Sequence, residues 1–460
     1  MTTVRNGALL ALLLTGNTAM ALSPDASAQV CTKPQTGEAG QVQIGETWSG
    51  VGTGIGAATT KDGALLTAYF GPDRYIRLAS FNPKDGTLCE KSLDSRFDGW
   101  DAHNSLTLAI SDDGTAHISG NMHADPMVYA QGPASDLDRI KLIPMTGQDE
   151  ESVTYPHFLK DRAGNLLFLY RSGTSGDGSW QVNRWTDGKW HRLPAVFTDR
   201  DGRKAVSAYP TEFVKDKNGL YHVAVVWRHT MDVSSNFAVT YAATWDFKTW
   251  QVGRRTAEGP LTPRAMEKVD LPGEGQGLVN NAKLAISDTG VPVILFTRFN
   301  ADGKNAVFAS GRIDGRWQTI QVAASDKRTE IKGGGSIPNL PYGAFLSSSS
   351  EDGMQIRAIF SPGEQVNTWL DADTMSLSSN RAPARRTARS PGDVIAIPAG
   401  LAEASNRTAN VRENGVDGPS RGRLRWFAQK VNFDRPRACT VEAPKACNPP
   451  PSPLIWMPGD

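Results

Sequence analysis

The chain alternates short apolar runs with polar turns, and one phrase recurs: a turn holding Asp and Gly, then a strand-like run. It reads KDGALLTAYF, SDDGTAHISG, KDRAGNLLFLYR, KDKNGLYHVAVVWR, SDTGVPVILFTR and SEDGMQIRAIF. The turn glycines, Gly63, Gly114, Gly164, Gly219, Gly290 and Gly353, stand 50 to 71 residues apart. Asp-Gly supplies the backbone angles that a hairpin turn needs, and the runs after it are rich in Val, Leu, Ile, Phe and Tyr. Between these units falls a second phrase with Trp beside a tight turn: WTDGKW, WDFKTW and IDGRW. No convincing amphipathic helix interrupts the series. Repeats of this length, each with several short strands, predict an all-β fold, a β-propeller. Six units are visible. A seventh is completed if the strand near QIGETWSG joins a late strand near RLRWFAQKV, so seven blades are expected, with six as the alternative.

The two ends of the chain read differently from its middle. Arg5, the apolar run ALLALLLTG and the small-residue site Ala26-Ser27-Ala28 read as an export signal over residues 1–28. The apolar run is too short for a membrane span. Residues 29–460 are expected to form one propeller domain, secreted or periplasmic, closed by its N- and C-terminal strands. Four cysteines suit that compartment, and the favoured pairs are Cys31–Cys89 and Cys439–Cys447. The basic stretch 381–389, RAPARRTAR, reads as an exposed loop. A net charge of +1 argues against a general nucleic-acid or membrane-surface binder, but leaves room for a local basic groove.

Candidate chemistry gathers at strand ends, where propeller strands converge on a central funnel. Three of the seven histidines, His103, His117 and His123, lie in DAHNSLTLAISDDGTAHISGNMH. His103 and His123 bracket one hairpin and are placed side by side, whereas His117 lies inside the second strand and is expected to pack structurally. Asn104 is a candidate hydrogen-bond donor to a ligand. Tyr155 and Arg171 bracket the next hairpin, and Tyr209 and Arg228 the one after. The intervening RSGTSGDG matches no phosphate loop and reads as an adaptable loop at the funnel rim. Asp101, Asp125 and Asp177 lie near this region without the distinctive pairing a glycosidase needs.

His, Tyr and Arg without a carboxylate pair suit β-elimination from a 4-linked uronate. Arginine neutralises the carboxylate, so that the C5 proton can be removed, and an acid protonates the leaving O4. WDAHN…GNMH, TYP, YRSGTSGDG and VVWR resemble the BNR-repeat propellers that include ulvan lyases and rhamnosyl-glucuronate lyases. The resemblance runs over about residues 100–298, nearly half the chain. It implies a seven-bladed propeller that cleaves glucuronate-containing polysaccharide beside rhamnose. It implies His103, His123 and Tyr155 as catalytic groups. Arg171 and Arg228 would hold the carboxylate, with Asn104 and Tyr209 as further substrate contacts. Tyr155 and His103 would exchange protons with C5 and O4, and His123 would assist or replace one of them. Were Tyr155 the base, it would need a lowered pKa supplied by the arginines.

The partner expected is an acidic polysaccharide or oligosaccharide, met by a monomer. No cofactor is required for the chemistry. A structural calcium in the central pore is a further implication of the resemblance, and its ligand set is unknown. Two other readings stay open. One is a rhamnosidase-type glycoside hydrolase acting on rhamnosyl-glucuronate. The other is a non-catalytic carbohydrate-binding propeller, for which the twelve tryptophans would supply sugar-stacking surfaces.

Overall fold

The computed structural model describes residues 28–37, 40–347, 353–361, 363–378, 397, 399–401 and 404–459. Residues 1–27 of the expected export signal and the basic stretch 381–389 lie outside them. The described chain is all-β, with short 3₁₀ turns at Leu137–Arg139 and Val233–Ser235. None of its helices is long and apolar enough to cross a membrane.

The strands run as antiparallel meanders. Leu106–Ile110, Thr115–Gly120, Tyr129–Pro133 and Lys141–Leu142 pair in succession. So do Lys283–Ile286, Pro292–Phe299, Asn305–Ile313 and Arg316–Ala324. Some meanders merge through parallel contacts, as where Gly178 meets Ser207. The six repeated turn glycines all have φ between +82° and +97°, a region L-residues rarely enter. Asp161 shows why Asp precedes them: its Oδ1 accepts the backbone N–H groups of Ala163 and Asn165, both at 2.9 Å. The same cradle recurs at Asp216 with Asn218 and Leu220.

The chain ends meet in one sheet. Val42–Thr47 pairs with Ser452–Pro458, which pairs with Ser420–Gln429. The sequence pattern does not mark Ser452–Pro458 as a strand, because its prolines interrupt the alternation. It is therefore this strand, rather than RLRWFAQKV, that touches the N-terminal one. Val42, Ile44, Leu424, Leu454 and Trp456 share one core cluster, so burial rather than pairing alone holds the ends together. Both favoured disulfides are present. Cys31 stands directly opposite Cys89 across a strand pair, and Cys439–Cys447 closes a loop.

Candidate active site

Hairpin ends deliver the side chains. Leu106 pairs with Gly120, and His103 and His123 lie just beyond the two ends of that ladder. Their rings stack, with centroids 4.2 Å apart. Asp101 joins them. His103 Nδ1 donates to one carboxylate oxygen at 2.5 Å, and His123 Nδ1 donates to the other. The backbone N–H of His103 also donates to Asp101 Oδ1, at 2.8 Å. Burial alone would raise the Asp101 carboxyl, but the hydrogen bonds from His103 and His123 outweigh it and hold the group below the usual carboxylate range. An ionised carboxylate only accepts, so each neutral imidazole carries its proton on Nδ1 and leaves Nε2 as an acceptor. Sequence pattern places Asp101 nearby but carries no signal that one carboxylate serves both rings. Asn104 is buried and donates to the Asp101 carbonyl at 3.3 Å, which shapes this turn.

The backbone around these groups is unusual. Asn121, Ala124 and Tyr155 all have φ near +60° although none is glycine. The pairing of Val153–Lys160 with Leu166–Thr174 shifts register between Thr154 and His157, which turns Tyr155 out of the ladder. Thr154 Oγ1 accepts from the Ala124 N–H at 2.9 Å and from Arg171 Nη2 at 3.0 Å, so the histidine loop and Arg171 are fixed to one another. Such strain persists only where the surroundings over-determine it.

Two aromatic–guanidinium layers follow. The Arg171 guanidinium carbon lies 5.0 Å from the Tyr155 ring centroid, and that of Arg228 lies 4.4 Å from the Tyr209 ring. Both arginines are buried, Arg171 1% and Arg228 4% exposed. Neither forms an ion pair with a described carboxylate. Arg228 spends its donors on neutral groups: Asn236 Oδ1 at 2.8 Å, Asn280 Oδ1 at 2.7 Å, Tyr209 OH at 3.1 Å and Ser175 Oγ at 3.2 Å. Arg171 Nε and Nη1 are buried without a hydrogen-bond partner among the described residues. Ser175 also bonds the Tyr209 hydroxyl. The stretch RSGTSGDG is thus not an adaptable rim loop. Thr174 pairs with Asp177 around a tight turn at Ser175–Gly176, with Gly176 at φ +83°.

Burial pushes the Tyr155 phenol up to about 12, and the nearby Arg171 charge only partly offsets this. The condition for a tyrosine base, a lowered pKa, is therefore not met in the free protein. His157 is held down by burial. His117 lies away from the site, fully buried between Tyr129 OH at 2.7 Å and Ser111 Oγ at 3.0 Å, and burial lowers it to about 3. Its role is packing. Asp177 lies beside Arg200, at 3.5 Å.

A cavity of about 730 Å³ opens beside these groups, lined by His103, Tyr155, His157, Trp180, Tyr209 and Asn280 among others. The Tyr155 and Trp180 rings are parallel within 3°. Asp101, His103 and His123 offer donor atoms within 4.8 Å of one another. Two imidazoles and one carboxylate suit a zinc-like ion better than calcium, which takes six to eight oxygens. This set therefore does not match the expected calcium.

Residues 66–325 match the family model described as BNR repeat-containing family member. The chain belongs to this family. Among solved structures the BNR repeat-containing chain is similar to the polysaccharide lyase Uly1. Identity is 14%, with 89% of this chain and 90% of that chain covered, at a TM-score of 0.52. It is also similar to a PL25 ulvan lyase at 14% identity, with 86% and 94% covered and a TM-score of 0.55. The same coverage holds for a PL25 ulvan lyase bound to -[GlcA(1-4)Rha3S]-, at 13% identity and a TM-score of 0.54. These likenesses establish a shared fold. No curated protein sequence matches the chain.

Proposed function

We propose that this protein is an exported polysaccharide lyase that cleaves the 4-linked bond to glucuronate beside rhamnose by β-elimination. One observation carries the reading: the buried Arg171 guanidinium has two donors without a partner among the described residues and lies against Tyr155, which lines the cavity together with His103. Charged side chains are rarely buried without a partner, so the site is built for an external anion. That the fold is shared with chains described as ulvan lyases, one holding a glucuronate–rhamnose sulfate, supports a uronate as that anion.

The roles follow from protonation. Arg171, with two donors unused, neutralises the uronate carboxylate and so acidifies the C5 proton. Arg228 supplies a second charge but is committed to Tyr209 and Asn280, so it positions rather than binds. His103 Nε2 takes the C5 proton, its tautomer set by Asp101. The enolate-like intermediate collapses with cleavage of the C4–O4 bond. Tyr155, neutral at rest, protonates the departing O4, and the new end keeps a C4–C5 double bond. His123 shares the Asp101 carboxylate and relays or orients the proton. Tyr209 lines the cavity, and Asn104 shapes the turn that carries His103. Asp101 is held ionised between two imidazoles, so it does not act as the acid of a hydrolase.

The same reading takes residues 29–460 as a monomeric propeller domain of seven blades, with the last formed by Ala404–Glu413, Ser420–Gln429, Ser452–Pro458 and the N-terminal Val42–Thr47. The proton transfers need no cofactor. Two disulfides support an exported protein.

Purified protein is incubated with ulvan and, separately, with arabinogalactan capped by rhamnose–glucuronate. Rising ultraviolet absorbance from the unsaturated uronate is expected. Free rhamnose without absorbance would replace the lyase by a hydrolase. Silence with tight binding would leave a carbohydrate-binding protein.

A further inference from the structure

A second cavity, of about 920 Å³, adjoins the first and is basic. Arg407, Lys430 and Arg437 line it, and no described Asp or Glu does. Residues adjacent in the chain line the two cavities. Asn280 lines the first and accepts from Arg228, while the next residue, Asn281, lines the second and donates to the Pro341 carbonyl at 3.0 Å. Ser336 Oγ lies 3.5 Å from His103 Nδ1, and the following residues, Ile337 to Leu340, line the second cavity. The Ser336 N–H is anchored on Asp434 at 2.8 Å, and Ile337 and Leu340 pack on Val233 and Val279. One anchored loop thus has the imidazole on one side and the basic cavity on the other.

Arg407 is placed with care. It projects from the strand Ala404–Glu413 and lies against Gly52, where a Cβ would come within 2.6 Å of its guanidinium. Its Nε is buried without a hydrogen-bond partner among the described residues. Only a residue with no side chain at position 52 lets the guanidinium lie there. The Arg437 Nη2 donates to the Lys430 carbonyl at 3.5 Å, which keeps the two cations on one wall.

We propose that this cavity is a second anion subsite, which takes a sulfate ester or a further uronate carboxylate of the same glycan whose reacting uronate occupies the first cavity. Guanidinium and ammonium groups bind either anion through charge-assisted hydrogen bonds. The identity of the glycan rests on the proposed function; the anion affinity of the cavity does not.

The test uses the full chain carrying Tyr155→Phe, so that oligosaccharide is not consumed during titration. Calorimetry is run with sulfated ulvan oligosaccharides and with the same oligosaccharides after desulfation. Arg407→Ala is expected to weaken sulfated ligand at least tenfold. Lys430→Glu, at an exposed position that folding tolerates, should do likewise. If sulfate is the group held, desulfated ligand binds the unmutated host as weakly as sulfated ligand binds the variants. If a carboxylate is held, the variants weaken both ligands. Unchanged affinity for both ligands in a folded Arg407→Ala and in Lys430→Glu overturns the proposal.

Inorganic sulfate, titrated against melting temperature, separates the two readings. Should ulvan be neither cleaved nor bound while sulfate still raises the melting temperature of the host but not of Lys430→Glu, the functional reading falls and the subsite stands. Should sulfate also act equally on both, the subsite falls with it.

Discussion

The Arg171 guanidinium lies 5.0 Å from the Tyr155 ring centroid, and still Tyr155 is pushed up to about 12. Desolvation outweighs a neighbouring positive charge here, so the phenol is a proton donor at neutral pH. A tyrosine acting as base would give a rate that climbs about tenfold per pH unit until its pKa is passed. As the acid, Tyr155 leaves kcat without such a rise between pH 7 and pH 10. A pH profile of the absorbance assay separates these outcomes. Tyr155→Phe should lower kcat by about 10²–10⁴-fold with little change in KM.

Asp101 fixes the tautomer of both imidazoles. Asp101→Asn keeps the shape but presents an amide that donates as well as accepts, so the Nε2 acceptor is no longer enforced. An activity loss of about 10²–10⁴-fold in kcat is expected, with the melting curve little changed. A variant with near-normal turnover would show that the imidazole tautomers do not matter to the reaction.

Arg171 ties itself to Thr154 through one donor and keeps two more without a partner among the described residues. Arg171→Met should cost about 10²–10³-fold in kcat/KM, the usual scale for losing a charge-stabilising group. Its melting temperature should stay close to that of the wild type, because removing a buried charge that has no ion pair offsets the lost hydrogen bond to Thr154. Methyl-esterified substrate, which carries no carboxylate to neutralise, should lose most of the difference between the two proteins. A large drop in melting temperature would mean that the guanidinium is satisfied by the fold after all.

His117 gives a stability signature independent of activity. Its folded pKa is about 3, against about 6.5 unfolded. Between those values the unfolded chain binds the additional proton, so stability falls as pH drops through the window and is fully present above it. The loss approaches about 1.4 kcal/mol per pH unit in mid-window. His117→Gln should be less stable at pH 8, having lost its buried hydrogen bonds, but its stability should vary less between pH 6.5 and pH 4 in urea unfolding.

The sequence by itself determined the all-β class, the repeated Asp–Gly turns, and the delivery of His103, His123, Tyr155, Arg171, Tyr209 and Arg228 to hairpin ends. These are local facts: a turn needs a positive φ at its glycine, a strand alternates its faces, and two residues bracketing a hairpin return to the same edge. Tertiary structure alone decided what those residues meet. It clamped Asp101 between two imidazoles, and it raised the Tyr155 phenol, whereas a tyrosine base would have needed it lowered. It committed Arg228 to Asn236 and Asn280, and placed Arg407 against Gly52 beside the loop that touches His103. Charge pairing and desolvation depend on groups tens or hundreds of residues away in the chain, and no short pattern encodes which of them share a low-dielectric pocket.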